Sequence, residues 1–295
     1  MRLFNIFVKI VFGAADKMTP KMKRKSLSIF LAVLLLLQVA APIPVSANPC
    51  LLISAPSAIL MDGDTNRVIF SKTQNIRRAP ASTTKLLTAI VAIEHMDLNT
   101  VVTIPGYVEK IPPSKIHLRK GERYRVRELV RALLMNSAND AAEALAHAGG
   151  GGSRQKFVGW MNQKASSLGC KQSHWVNPSG LPGTGQYSTA YDMARIMAEV
   201  QRYPFLVQTL QTRTLIIKSS TGRKVYLRNH NRMLSRRVIG KTGWTRLARH
   251  CFVGEFVANN RKVVVAMLGS HSLWRDLRKL VDSQGTLSWV KSNRD

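Results

Sequence analysis

Cys251-Phe-Val-Gly-Glu-Phe-Val-Ala-Asn-Asn-Arg-Lys-Val-Val-Val-Ala-Met-Leu268 is the stretch on which the architecture turns. Two runs rich in β-branched and aromatic residues, Cys251 to Val257 and Lys262 to Leu268, flank Asn259-Asn260, residues that tolerate the left-handed backbone of a tight turn. The pattern predicts an antiparallel hairpin. An amphipathic segment from Leu273 to Val281 follows, with Trp274, Leu277 and Val281 at helical spacing and so expected in the core. Far upstream, Ala58-Ile-Leu-Met-Asp-Gly-Asp-Thr-Asn-Arg-Val-Ile-Phe70 reads as two more short strands joined through Asp62-Gly63-Asp64.

The patterns between these ends are helical. Ser82-Thr-Thr-Lys-Leu-Leu-Thr-Ala-Ile-Val-Ala-Ile-Glu94 is apolar nearly all round, which predicts a buried central helix. A second helical pattern runs from Val126 to Ala148 with a break at Asn136 to Asn139. Others cover Phe157 to Leu168 and Tyr191 to Tyr203. Strands at both ends with helices between predict one α/β (α+β) domain: an antiparallel sheet built from both ends of the chain, with helices on both faces.

Three short motifs occur in order along this framework: Ser82-Thr-Thr-Lys85, Ser137-Ala-Asn139 and Lys241-Thr-Gly243. A serine hydroxyl is a poor nucleophile until a neighbouring base takes its proton. On a helix, positions i and i+3 share a face, so Lys85 can reach Ser82. Lys85 must be neutral to act as that base, and apolar burial together with a second cation, for which Lys241 is the candidate, would lower its pKa. Ser82 opens its helix, where free N–H groups favour a developing oxyanion. Ser137 offers a hydroxyl to relay the proton, and Asn139 an amide to hold substrate or Lys85. Lys241 and Thr242 on an edge strand suit a substrate carboxylate. Gly243 lets the backbone approach a bound chain, and the N–H of Trp244 is a candidate second oxyanion donor. S-x-x-K alone means little, since Ser153-Lys156 and Ser288-Lys291 also match it. The ordered set, with K-T-G occurring once, carries the weight.

With these motifs the chain resembles the serine-type D-alanyl-D-alanine carboxypeptidases, the low-molecular-mass penicillin-binding proteins of peptidase S11 type. The resemblance runs from about Ala58 to Leu280. It includes Ala79 to Thr88, Met135 to Ala142, His174-Trp-Val-Asn-Pro-Ser-Gly-Leu181, Tyr187 to Ala194, and Asn229-His-Asn231 before Gly240-Lys-Thr-Gly243. It implies a β-lactamase/transpeptidase-like fold and a metal-free, cofactor-free hydrolase. Ser82 would attack the penultimate D-Ala of a peptidoglycan stem peptide and release the terminal D-Ala, and β-lactams would acylate Ser82 as substrate mimics. In this reading Ser82, Lys85 and Ser137 are catalytic, while Asn139, Lys241, Thr242, Gly243 and Trp244 bind substrate. One departure is local: where the family has a small Ala-Gly pair after K-T-G, this chain has Ala248-Arg249, and the arginine is expected to crowd or recharge the cleft.

Other activities fit less well. A class A β-lactamase needs a glutamate-activated water, and from Gly149 to Gly240 the only acidic residues are Asp192 and Glu199, both in a helical pattern. A DD-endopeptidase that cuts cross-links uses the same residues and is the alternative, with Ser-Ala-Asn-Asp leaning towards the carboxypeptidase. A non-catalytic binding module is the remaining class. The seven histidines lack ligand spacing and read as surface or structural groups. Cys170 and Cys251 could pair in an oxidising compartment, and spacing leaves that open.

Charge frames the whole chain. Over 295 residues, 44 Lys+Arg against 16 Asp+Glu give +28. A basic run at residues 21–25, an unbroken apolar run from Ile29 to Leu37 and Val45-Ser-Ala47 describe a secretory signal over 1–47, with an uncleaved anchor as its alternative. The body, 48–295, is then a single catalytic domain working outside the cytoplasm, periplasmic or otherwise extracytoplasmic. Its 37 Lys/Arg and 15 Asp/Glu leave +22. The basic residues are scattered, as at Arg228, Arg232, Arg236 and Arg237, with little aromatic interleaving, which argues against nucleic acid. An anionic membrane or envelope surface is the expected partner for that charge.

Overall fold

The computed structural model describes residues 51–285 together with the backbone of 287 and 288. The signal expected over 1–47, and Cys50, lie outside the described residues. Strands β1 (Ser57–Asp62) and β2 (Val68–Lys72) form the first hairpin. A 3₁₀ turn over Ala81–Thr84 leads into α1 (Lys85–His95), whose residues Lys85 to Ala92 are all buried. The short strands β3 (Val101–Thr103) and β4 (Arg123–Arg125) pair with each other. The helical pattern over 126–148 divides into α2 (Val126–Met135) and α3 (Asn139–Gly149) at the expected break. Then come α4 (Arg154–Ser167), α5 (Ala190–Val200), α6 (Pro204–Gln211), and the hairpin β5 (Thr214–Lys218) and β6 (Lys224–Arg228). A 3₁₀ turn at Arg232–Arg236 precedes β7 (Ile239–Thr245), β8 (Arg249–Ala258), β9 (Arg261–Ser270), α7 (Leu273–Asp282) and β10 (Leu287–Ser288).

The main sheet is antiparallel, ordered β10-β8-β9-β1-β2, with β7 on the free side of β8. N-terminal β1 lies against C-terminal β9, Ser57 opposite Leu268 through Asp62 opposite Val263. Alternation in the central strands gives each face its own core. Ala58, Leu60, Phe252, Phe256, Val265 and Met267 meet Leu277, Leu280 and Val281 of α7. Ile59, Met61, Val253, Val264 and Ala266 face the opposite way, towards α1 and α5. Leu277 and Val281 are therefore core residues, as expected.

Side chains set several helix starts. Ser153 Oγ accepts the N–H of Lys156 at α4, and Thr189 Oγ1 accepts that of Asp192 at α5. The pattern over Tyr191 to Tyr203 is not one helix: α5 ends at Val200, and Pro204 at the first turn of α6 starts another. Cys170 and Cys251 are separate, buried thiols, so the possible disulfide between them does not form. Burial pushes each thiol up to about 12.

Candidate active site

The serine turn is held in an uncommon backbone. Ala81, just before Ser82, has φ +48°, and the 3₁₀ turn carries Ser82 to the mouth of a cleft. The α-helix proper begins only at Lys85, so Ser82 sits in the turn that feeds it rather than in its first residue. Lys85 is fully buried and its Nζ has three neighbours: Ser82 Oγ at 2.8 Å, Asn139 Oδ1 at 2.7 Å and the Ser179 carbonyl at 2.5 Å. The last two can only accept. A neutral amine donates one N–H to each and turns its lone pair to the hydroxyl of Ser82. Burial, then the charge of Lys241, holds the Lys85 ammonium well below the usual lysine range. Geometry and electrostatics thus agree on a lysine able to take the serine proton.

Ser137 lies in the break between α2 and α3 with φ +58°, a second left-handed residue in the cleft. Its Oγ accepts from Lys241 Nζ at 2.9 Å, and the same ammonium reaches the carbonyl of Thr242 at 2.8 Å. Burial lowers the pKa of Lys241 to about 7. Of the two roles open to Asn139, the structure shows the amide engaged on the protein: Oδ1 takes Lys85, and Nδ2 donates to the Pro112 carbonyl at 3.1 Å. Thr242 is half-buried and Trp244 is 59% exposed, and both line the cleft with Ser82.

Gly243 also makes a close approach within the protein. A Cβ there would stand 3.0 Å from the N of Ser82, so its missing side chain lets β7 close on the serine turn itself. Gly180 is tighter still: its φ is +82°, and a Cβ would sit 1.9 Å from the Ala81 carbonyl oxygen. That approach seats the 174–181 loop against the serine turn and aims the Ser179 carbonyl at Lys85. Asn177 Oδ1 fixes the loop by accepting from Gly180 N at 2.8 Å and Ser179 Oγ at 3.2 Å.

The model of peptidase S11, D-alanyl-D-alanine carboxypeptidase, matches residues 44–272. This chain belongs to the S11 peptidase family. Among relatives it is 34% identical over 224 residues to the D-alanyl-D-alanine carboxypeptidase DacF of Bacillus subtilis, covering 73% of this chain and 57% of the relative. It is 33% identical over 256 residues to DacB2 of Mycobacterium tuberculosis, covering 83% and 85%. A crystal structure of a D-alanyl-D-alanine carboxypeptidase from Mycobacterium tuberculosis H37Rv superposes with a TM-score of 0.73 at 33% identity, covering 82% of this chain and 93% of that one. The chain thus spans little more than half of the Bacillus relative and most of the mycobacterial ones.

Within this S11 domain the cleft has a volume of about 320 Å³, and its wall also includes Ser114, His230, Arg232, His250 and Trp274. Arg249 does not line it. That side chain is exposed at the start of β8, and the next residue, His250, takes the wall beside Trp244. His230 is an exposed histidine, as its spacing suggested, and it stands in the cleft wall, where partial desolvation, then Lys241 and Arg228, lower its pKa. Its signal was positional: it lies between Asn229, whose Nδ2 donates to the carbonyls of Leu210 and Thr212, and Asn231, whose side chain bridges Met233 N and Val238 O. The two acids between Gly149 and Gly240 serve the scaffold. Asp192 accepts from Gln172 N and Ser173 Oγ, and Glu199 pairs with Lys164.

Proposed function

We propose that this chain is a serine-type D-alanyl-D-alanine carboxypeptidase acting on peptidoglycan stem peptides outside the cytoplasm. The observation that supports it best is Lys85, whose two N–H acceptors leave its lone pair for Ser82 Oγ at 2.8 Å. Ser82 attacks the penultimate D-Ala carbonyl as Lys85 takes the hydroxyl proton. The backbone N–H groups of Ser82 and Trp244 face the oxyanion. Lys241 and Thr242 bind the terminal carboxylate, and Ser137 relays the proton that Lys85 took from Ser82 to the leaving D-Ala amine, which leaves Lys85 neutral for the next step. Water then hydrolyses the ester. With Asp192 and Glu199 engaged elsewhere, a β-lactam acyl group on Ser82 has no carboxylate from the 149–240 region to hasten its release.

The discriminating experiment incubates the protein with a stem pentapeptide and with a cross-linked dimer. D-Ala release from the pentapeptide, abolished together with benzylpenicillin labelling in Ser82→Ala, is the expected result. Dimer cleavage without D-Ala release would replace this reading with the endopeptidase. No labelling and no turnover would leave a binding module. The +22 over residues 48–295 supports a second element of the proposal, retention near an anionic envelope surface. Among the described residues no helix is long and apolar enough to cross a membrane.

A further inference from the structure

Arginines that look scattered in the sequence gather in space. Arg213, Arg228 and Arg232 line one cavity of about 580 Å³ together with Tyr226 and Asn229. Arg232 also forms part of the cleft wall that holds Ser82, and it borders a hollow of about 460 Å³ walled by Arg236, Arg278 and Trp274. Its guanidinium carbon lies 5.9 Å from the Trp274 ring centroid, so it stands where the three spaces meet. Arg236 is paired with Asp282 at 2.6 Å. Arg213, Arg228, Arg232 and Arg278 pair with no carboxylate among the described residues.

Like charges converging in a concavity repel one another, and a cleft of one sign concentrates counter-ions. Guanidinium forks match the two oxygens of a carboxylate or phosphate. The cavity is of ligand size.

We propose that the Arg213–Arg228–Arg232 cavity is an anion subsite continuous with the catalytic cleft, taking a carboxylate or phosphate carried by the polymer strand whose stem peptide lies at Ser82. This rests on the carboxypeptidase reading and extends it: recognition would reach past the scissile bond to a charged group elsewhere on the strand. Two sources supply that chemistry, free carboxylates of a neighbouring stem peptide and phosphodiesters of an attached polymer.

The test measures binding to Ser82→Ala protein, where no turnover intervenes. The probes are a glycan fragment bearing two stem peptides with free side-chain carboxylates, the same fragment fully amidated, and poly(glycerol phosphate). Arg213→Gln/Arg228→Gln should weaken binding of at least one anionic probe about tenfold and leave the amidated fragment within about twofold; the weakened probe identifies the source. The difference should shrink as salt rises. Equal affinities for every probe with and without the two arginines would overturn the subsite. Should the pair fail to fold, by melting curve, Arg213→Gln alone is read for a threefold effect. D-Ala release by the unsubstituted protein is scored separately, so its absence sinks the enzyme reading while the affinities still decide the subsite.

Discussion

Two buried lysines in one cleft hold different charges in the proposed reaction, and pH separates them. Lys85 must lose its proton to accept that of Ser82, whereas Lys241 must keep its own to bind a carboxylate. In the free enzyme, kcat/KM should therefore rise with pH through the depressed pKa of Lys85 and fall as Lys241 deprotonates near pH 7. Lys241→Met removes the neighbouring cation and raises the pKa of Lys85, so the rising limb of penicillin acylation should move to higher pH. A limb that stays in place would show that burial alone sets Lys85. Short-range chemistry at this scale was legible in the sequence, because Ser82 and Lys85 are three residues apart. The Ser179 carbonyl was not legible, since a main-chain acceptor belongs to every residue type. Nor was the bond from Lys241 to Ser137, which joins positions 104 residues apart.

Strand β8 carries a carboxyl group in an awkward place. Glu255 lies between Val253 and Val257 on the face towards the helices, is 0% exposed, and neither of its oxygens has a hydrogen-bond partner. Burial raises its pKa to about 8. The folded state therefore keeps this proton when the unfolded chain has lost it. Stability from Glu255 is full below about pH 4.5 and declines, by at most about 1.4 kcal/mol per pH unit, as pH rises towards 8. Lys241 acts mostly above that range, overlapping it between about pH 7 and 8; its folded pKa lies below its unfolded one, so its contribution falls as pH drops from about 10.5 to 7. Denaturant melts between pH 5 and 7 should show Glu255→Gln gaining on the parent protein as pH rises; parallel stabilities would refute the buried proton. The loop over 174–181 has its own test. Gly180→Ala forces the loop away from Ala81, and we expect a loss of at least about 2 kcal/mol and slowed acylation. Unchanged acylation would mean that the Ser179 carbonyl is dispensable. Runs rich in β-branched and aromatic residues flanking Asn259-Asn260 made the central hairpin of the main sheet readable in the sequence. The hairpin of β5 and β6 escaped notice although Val225 and Leu227 alternate with Tyr226, because Lys224 and Arg228 at its ends dilute a five-residue signal.

For the molecule as a whole, +22 over residues 48–295 acts through solvent rather than through one contact. Retention of this segment on vesicles containing anionic phospholipid, or on sacculi, should fall steeply between about 50 and 500 mM salt as the screening length shrinks. Salt-insensitive retention, or none, would count against an electrostatic partner. The charge was legible from composition, whereas its clustering around Arg232 was not, because Arg213, Arg228 and Arg278 meet only through the fold. The site has the same dependence on closure. Ser82 on its turn, Asn139 at the head of α3, Ser179 in a loop and Lys241 on the edge strand are far apart along the chain, and Lys241 cannot join them until β7 has docked on β8. In the exported enzyme proposed above, an unfolded polypeptide in transit through a membrane would hold an inert serine, and completed folding at the destination would switch its reactivity on. A fluorescent penicillin added during refolding would in effect count finished molecules.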